Sequence, residues 1–349
     1  MSRFLNDKYS CLEAYVPGEQ PQDMDYIKLN TNESPFPPSQ KVLDAVSTDE
    51  VSKLRLYSDP ECKLLRQAIA SEFDTGFKNV FVSNGSDDIL NFAFMAFSQN
   101  GVIFPDISYG FYKVFAELHG INYTEACLLD DFTINTDDYK NKNSMIVIAN
   151  PNAPTGIALS LSRIEEIVKS NPHSIVLIDE AYVDFGAESA VALTKKYDNL
   201  LVVQTFSKSR SLAGGRLGFA IANEEIIKDL EKIKYSTNPY SINRLTLLAG
   251  EAAIKSGEYY DECCKKIIEA REYTSAKLIK LGFEVLPSSA NFIFARKDGT
   301  DGEYIYKELR KKGILVRHFT KEKIKDFNRI TIGTMEQMKI FIDVISSIM

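Results

Sequence analysis

The chain has 349 residues, room for one large or two ordinary domains, and its 44% apolar and 26% charged content is that of a globular protein. A net charge of −7 argues against a general nucleic-acid binder, and no apolar run is long enough to span a bilayer. Five cysteines (Cys11, Cys62, Cys127, Cys263, Cys264) without a Cys-x-x-Cys pair and three histidines without ligand spacing make a zinc site unexpected, so no metal is predicted.

Met1 to Tyr15 has no continuous apolar segment of the kind a signal peptide needs, and the chain reads as a reduced, cytoplasmic protein. Residues 1–28 form a polar arm with Pro17-Gly18 and Pro21, too irregular for a strand or a helix. A short extended piece follows, Lys28-Leu-Asn-Thr-Asn-Glu-Ser-Pro35. Cys62 to Phe73 then carries apolar residues at helical spacing. From there strand-like runs at 79–83, 101–104, 121–127, 144–149, 174–178, 200–204 and 217–221 alternate with helical patterns. The helices fall at 87–98, 110–118, 160–170 and 223–234. Alternation of this kind predicts an α/β fold with a mostly parallel sheet covered by helices on both faces.

After Pro239 the texture changes. A long helical region from Ile242 to Leu281, broken at Ser256-Gly257, precedes short strands at 283–286, 291–295, 314–317 and 328–332, with helices at 301–311 and 334–348. This predicts a smaller α+β domain. The division expected is 29–240 for the large domain, with 1–28 and 241–349 supplying the arm and the small domain.

Ligands of open α/β sheets sit beyond the carboxyl ends of the strands, so the turns there are the place to look for chemistry. The first is Asn84-Gly-Ser-Asp87, either an anion cradle at a helix start or a plain helix cap. Next come Tyr109, a ring at a helix start, and the tight turn Asn150-Pro-Asn-Ala-Pro-Thr-Gly156. Asp179 ends a fully apolar strand, where a carboxylate is costly unless paired. The last is Thr205-Phe-Ser-Lys-Ser-Arg-Ser-Leu-Ala-Gly-Gly-Arg216. Its Lys208 is the side-chain type that condenses with carbonyls, of which pyridoxal phosphate is the commonest cofactor example.

The ordered set Asn-Pro-Asn-Ala-Pro-Thr-Gly, Asp179-Glu-Ala-Tyr182 and Thr-Phe-Ser-Lys with Arg216 resembles the fold-type-I pyridoxal-phosphate-dependent aminotransferases. The segments Lys28–Pro35, Arg55-Leu-Tyr-Ser-Asp-Pro60 and Arg329-Ile-Thr-Ile-Gly-Thr334 are similar to the histidinol-phosphate aminotransferase branch in particular. The resemblance implies that Lys208 holds the cofactor and shuttles a proton, that Asp179 pairs with the pyridine nitrogen and that Tyr182 hydrogen-bonds the ring hydroxyl. It implies that Tyr109 stacks on the ring, and that Gly85, Ser86, Asp87, Ser207 and Arg216 cradle the phosphate. Tyr57 is implied to reach that phosphate from a second copy, making a homodimer, while Asn32, Tyr240, Arg317 and Arg329 line the substrate side. In most of the family an asparagine precedes Pro-Thr-Gly; here it is Ala153, and Asn152 is expected to take over its contact.

The activity implied is reversible ping-pong transfer of an amino group between glutamate and imidazole-acetol phosphate, giving 2-oxoglutarate and histidinol phosphate. Its rivals are a threonine-phosphate decarboxylase, an aromatic aminotransferase and a cofactor-binding regulator without turnover.

Overall fold

A computed structural model describes residues 3–10 and 12–349; Met1, Ser2 and Cys11, which belong to the arm and the cysteine count above, lie outside the described residues. The first elements are β1 (Ile27–Lys28), α1 (Gln40–Ala45), α2 (Thr48–Ser52) and α3 (Lys63–Glu72). A large sheet follows, made of β2 (Val80–Ser83), β3 (Val102–Pro105), β4 (Tyr123–Ala126), β5 (Met145–Ala149), β6 (Val176–Asp179), β7 (Leu200–Thr205) and β8 (Gly218–Ala222). Interleaved with these strands are α4 (Ser86–Phe97), α5 (Phe111–His119) and α6 (Leu161–Ser170), and α7 (Glu224–Thr237) comes after β8. The chain continues through α8 (Arg244–Ile254), α9 (Gly257–Lys280), β9 (Phe283–Val285), β10 (Phe292–Lys297) and α10 (Gly302–Lys311). It ends with β11 (Ile314–Leu315), β12 (Arg317–His318), β13 (Asn328–Thr331) and α11 (Met335–Ile348).

Both faces of the large sheet are buried except at its edge strand β4, where Thr124 and Glu125 are exposed, which is why the inner strands are apolar over most of their length. Alternate residues divide between two cores. Val80, Val82, Ile146, Ile148, Val176 and Ile178 face one side with α3, α6 and α8. Phe81, Met145, Val147, Leu177, Leu201 and Val203 face the other with α4, α5 and α7. A third core lies between α9, α11 and the smaller sheet, whose strand order is β12-β13-β10-β9.

The large sheet has the order β2-β8-β7-β6-β5-β3-β4. Strands β3 to β7 pair in parallel, while β8 runs antiparallel to both β7 and β2. Two reversals restore the direction of β2. The carboxyl ends of β2, β3, β5, β6 and β7 therefore share one edge with the amino end of β8, and Arg216 just before β8 arrives beside Lys208 just after β7.

Three details depart from the sequence reading. Helices α1 and α2 are too short to show periodicity, yet both are capped, with the Ser39 and Ser47 hydroxyls accepting from Val42 N–H and Glu50 N–H. The strand expected at 314–317 is two strands divided at Val316, because each half has a different partner: β11 pairs with β1 and β12 with β13. The arm, read as wholly irregular, contributes β1 and, among its described residues, a 3-10 turn at Asp7–Tyr9.

Candidate active site

The shared edge opens into a cavity of about 150 Å³ that continues into a cleft of about 680 Å³ reaching the smaller sheet. Lys208, Asp87, Tyr109, Ala153, Tyr182 and Arg216 border both spaces.

At one end lies an anion cradle. Gly85 adopts φ +88, a conformation that suits glycine, and α4 starts behind it without a side-chain cap, so its first N–H groups remain available. A Cβ on Gly85 would meet the Arg216 guanidinium at 2.8 Å, so the arginine lies directly over the turn. The register sets Gly218 opposite both Ser83 and Thr205, where a Cβ would come within 2.6 Å of the Gly85 carbonyl carbon. Arg216 Nη2 donates to Asp87 Oδ2 over 2.9 Å, and Tyr109 Oη donates to Asp87 Oδ1 over 2.8 Å. Ser86 and Ser207 also line the cavity.

Asp179 lies deeper in the cavity, at the last position of β6 and 5% exposed. It accepts hydrogen bonds from Tyr112 Oη at 2.8 Å and Ala181 N at 3.2 Å. Burial pushes its carboxyl up to about 6, and these two hydrogen bonds pull the other way. A buried acid whose two donors are neutral is a ready partner for a cation on a bound molecule.

Between cradle and acid sits Lys208, whose Nζ donates to Thr31 O over 3.2 Å and lies 5.6 Å from the Tyr182 ring centre. Tyr182 accepts from Asn32 Nδ2 over 2.9 Å. On the far wall Arg317 and Arg329 are directly opposite one another in the β12–β13 ladder, and both border the larger cleft. The Arg317 guanidinium donates to the Val16 and Pro17 carbonyls of the arm, and Arg329 Nη2 to Asn30 O. Arg329 Nε is buried and unpartnered.

Two predicted residues are not brought to this cleft. Asn152 spends its amide inside the turn, donating to Ile107 O and Thr155 Oγ1, and Ala153 is what lines the wall. With its NH2 so engaged, Asn152 has no free donor in this structure to take over the missing asparagine's contact. Tyr240 is 44% exposed and stacks on Tyr57 with ring centres 4.4 Å apart, away from the cleft. Tyr57 itself is 81% exposed.

Sequence reasoning passed over Tyr112 and Thr31. Tyr112 lies one helical turn beyond Tyr109, a spacing that puts both on one face and was its available signal. Thr31 contributes a carbonyl, which no side-chain pattern reveals. Among the described residues no cluster of His, Cys, Asp or Glu is arranged to hold a metal ion, and no helix is long and apolar enough to cross a membrane.

The family model for class I and II aminotransferases matches residues 24–345. A histidinol-phosphate aminotransferase of Brachyspira hyodysenteriae is 53% identical over 351 residues, covering 100% of this chain and 99% of that protein. The histidinol-phosphate aminotransferase of Clostridium acetobutylicum superposes with a TM-score of 0.86 at 23% identity, covering 92% of this chain and 98% of that one. That of Sinorhizobium meliloti, solved in complex with pyridoxal-5'-phosphate, superposes with a TM-score of 0.84 at 24% identity over 93% of this chain and 92% of its own. The two superpositions carry the fold; the full-length identity to the Brachyspira protein carries the family. The chain belongs to the class I and II aminotransferases and, within them, to the histidinol-phosphate aminotransferases.

Proposed function

We propose that this protein moves an amino group between glutamate and imidazole-acetol phosphate, yielding 2-oxoglutarate and histidinol phosphate, as a step of histidine biosynthesis. The observation that carries the substrate reading is the cross-strand pair Arg317–Arg329. Like charges directly opposite in a ladder repel, and an anion bridging them relieves the cost. Two guanidinium forks suit a phosphate or a carboxylate, so one wall serves the phosphorylated substrate and the second carboxylate of glutamate in turn.

The cavity fits pyridoxal phosphate by chemistry: an uncapped helix start and Arg216 for the phosphate, an amine at Lys208 for the carbonyl, and a buried acid at Asp179 for the ring nitrogen. Once bound, the cofactor supplies an electron sink that stabilises negative charge at the substrate's Cα. The chain's own residues do the rest. Lys208 Nζ, when free, would accept the proton from the substrate's Cα and carry the 1,3-proton transfer that moves the amino group. With the cofactor bound, Asp179 would keep the ring nitrogen charged, Tyr182 would hydrogen-bond the ring oxygen and Tyr109 would cover a ring face. Gly85, Ser86, Asp87 and Ser207 shape the phosphate end, while Arg317 and Arg329 orient the substrate and Asn32, at the cleft border, acts through its hydrogen bond to Tyr182. In this reading 29–240 is the cofactor domain, and 1–28 with 241–349 the arm and small domain.

We further infer a homodimer in the cytoplasm. Tyr57 is exposed, is held by Tyr240, and lies apart from its own chain's cleft; Leu54, Leu56 and Leu64 are exposed on the same stretch of chain. A second copy on that surface would cover the leucines and carry Tyr57 to its neighbour's phosphate cradle.

The test is Lys208→Ala. The purified protein should show a visible, pH-responsive absorption band and convert histidinol phosphate with 2-oxoglutarate; the variant should lose both. Transamination at the normal rate without Lys208 would refute the scheme.

A further inference from the structure

A chain of hydrogen bonds across the two sheets fixes which way the Tyr182 hydroxyl points. The Asn32 backbone N–H, which can only donate, donates to Thr331 Oγ1 over 3.0 Å. The Thr331 hydroxyl passes its own proton to Asn32 Oδ1 over 2.9 Å. With its oxygen engaged, the Asn32 amide turns its NH2 to Tyr182 Oη. The tyrosine oxygen accepts there, so its own proton is left to be donated on the cleft side. All of this is packed tightly: Asn32 is 1% exposed and Thr331 2%, and Asn291 Nδ2 holds the Asn32 carbonyl over 3.0 Å. The Tyr182 ring is braced edge-on by Phe292 of β10, with ring centres 5.0 Å apart.

The wall beside Tyr182, where Ala153 shares an apolar cluster with Phe292, gives this arrangement its purpose. Ala153 offers no side-chain donor, and Asn152 is committed to Ile107 and Thr155. Tyr182 is left to do alone what two donors would otherwise share, so the orientation of its proton matters more. We infer that Asn32 is a positioning residue: anchored by Thr331, it keeps Tyr182 a hydrogen-bond donor toward the ionised ring oxygen of the bound cofactor. Since Thr331 belongs to β13, beside Arg329, the small sheet that grips the substrate also sets the donor that tunes the cofactor. This inference rests on the cofactor reading above.

A donor to the ionised ring oxygen stabilises the deprotonated form of the bound cofactor. Losing it lets the cofactor keep its proton to higher pH. The experiment is a pH titration of the visible absorption band of the holoenzyme, in wild type, Tyr182→Phe, Asn32→Asp, Asn32→Gly and Thr331→Val. Glycine suits the φ of +56 at position 32, and aspartate tolerates it while replacing the donor by an acceptor that draws the Tyr182 proton to itself. Expected is a raised midpoint in Tyr182→Phe, a rise of about one pH unit or less in both Asn32 variants, the scale of one hydrogen bond, and a smaller rise in Thr331→Val. If Tyr182→Phe shifts the midpoint while both Asn32 variants titrate like wild type, even with weaker cofactor binding, Asn32 is merely structural and the inference falls. If wild type shows no pH-responsive band at all, the cofactor reading falls, and this inference with it.

Discussion

Tyr112 Oη donates to Asp179 Oδ2 over 2.8 Å, so a side chain buried behind the cavity supports the acid that lines it. The bond works against the desolvation that pushes the Asp179 carboxyl up to about 6. Two opposite pH effects follow. In the cofactor-free protein the folded state holds this proton up to about 6 whereas the unfolded chain releases it near 3.8. Stability from this group is thus present at low pH and is lost as pH rises across that window, staying level above it. Cofactor affinity runs the other way, because only the ionised acid pairs with a protonated ring nitrogen. Titration of the cofactor-free protein with pyridoxal phosphate should show affinity falling as pH drops through about 6. Tyr112→Phe should move that midpoint upward; an unmoved midpoint would show that the tyrosine does not support the charge.

Gly218 is required by spacing. A methyl group there runs into the backbone of Gly85 and Ser86, which forms the phosphate turn. Gly218→Ala should weaken pyridoxal phosphate binding by about tenfold or more, roughly 1.4 kcal/mol, while phosphate-free pyridoxal loses far less. Equal losses for the two ligands, measured by equilibrium titration, would mean that the damage is not at the phosphate end.

Asp179 was open to prediction from sequence because it ends an apolar strand that the sheet must bury, and Gly85, Tyr109 and Lys208 because each falls in the turn just beyond such a strand. Arg216 needed the antiparallel β8 to reach the same edge, and pairing direction leaves no trace in a short apolar strand. The engagement of the Asn152 amide was not legible, because a turn sequence names the residues of a turn without saying which amide faces inward. Tyr240 was expected at the substrate wall, yet its ring is occupied by Tyr57, a contact across 183 positions of sequence. Long-range partners of this kind, like Thr331 for Asn32, are set by the packing of two sheets and by nothing local.

Arg317 and Arg329 make a prediction about charge geometry. Arg317→Lys or Arg329→Lys keeps the charge and loses the planar fork, so KM for histidinol phosphate should rise by on the order of 10-fold or more with a smaller change in kcat. The visible band should stay as in wild type. A lysine variant with unchanged KM would remove that arginine from the substrate wall.

The proposed dimer is tested by mixing two defective chains. Lys208→Ala and Tyr57→Ala homodimers should each be severely impaired. In a mixed dimer one site regains both residues, so an equal mixture, unfolded and refolded together, should recover about a quarter of wild-type activity by random pairing. No recovery, with mixed dimers shown to form, would contradict a tyrosine shared across the interface.

The central claim concerns which amine is passed on, and the comparison of kcat/KM for histidinol phosphate and phenylalanine, with 2-oxoglutarate as acceptor, tests it most directly. A cleft walled by Arg317 and Arg329 should favour histidinol phosphate by on the order of 10²-fold or more, because a phosphate dianion on its longer arm can bridge both guanidinium forks, whereas the α-carboxylate of phenylalanine carries a single charge held close to Cα. Equal values, or a preference for phenylalanine, would contradict the account.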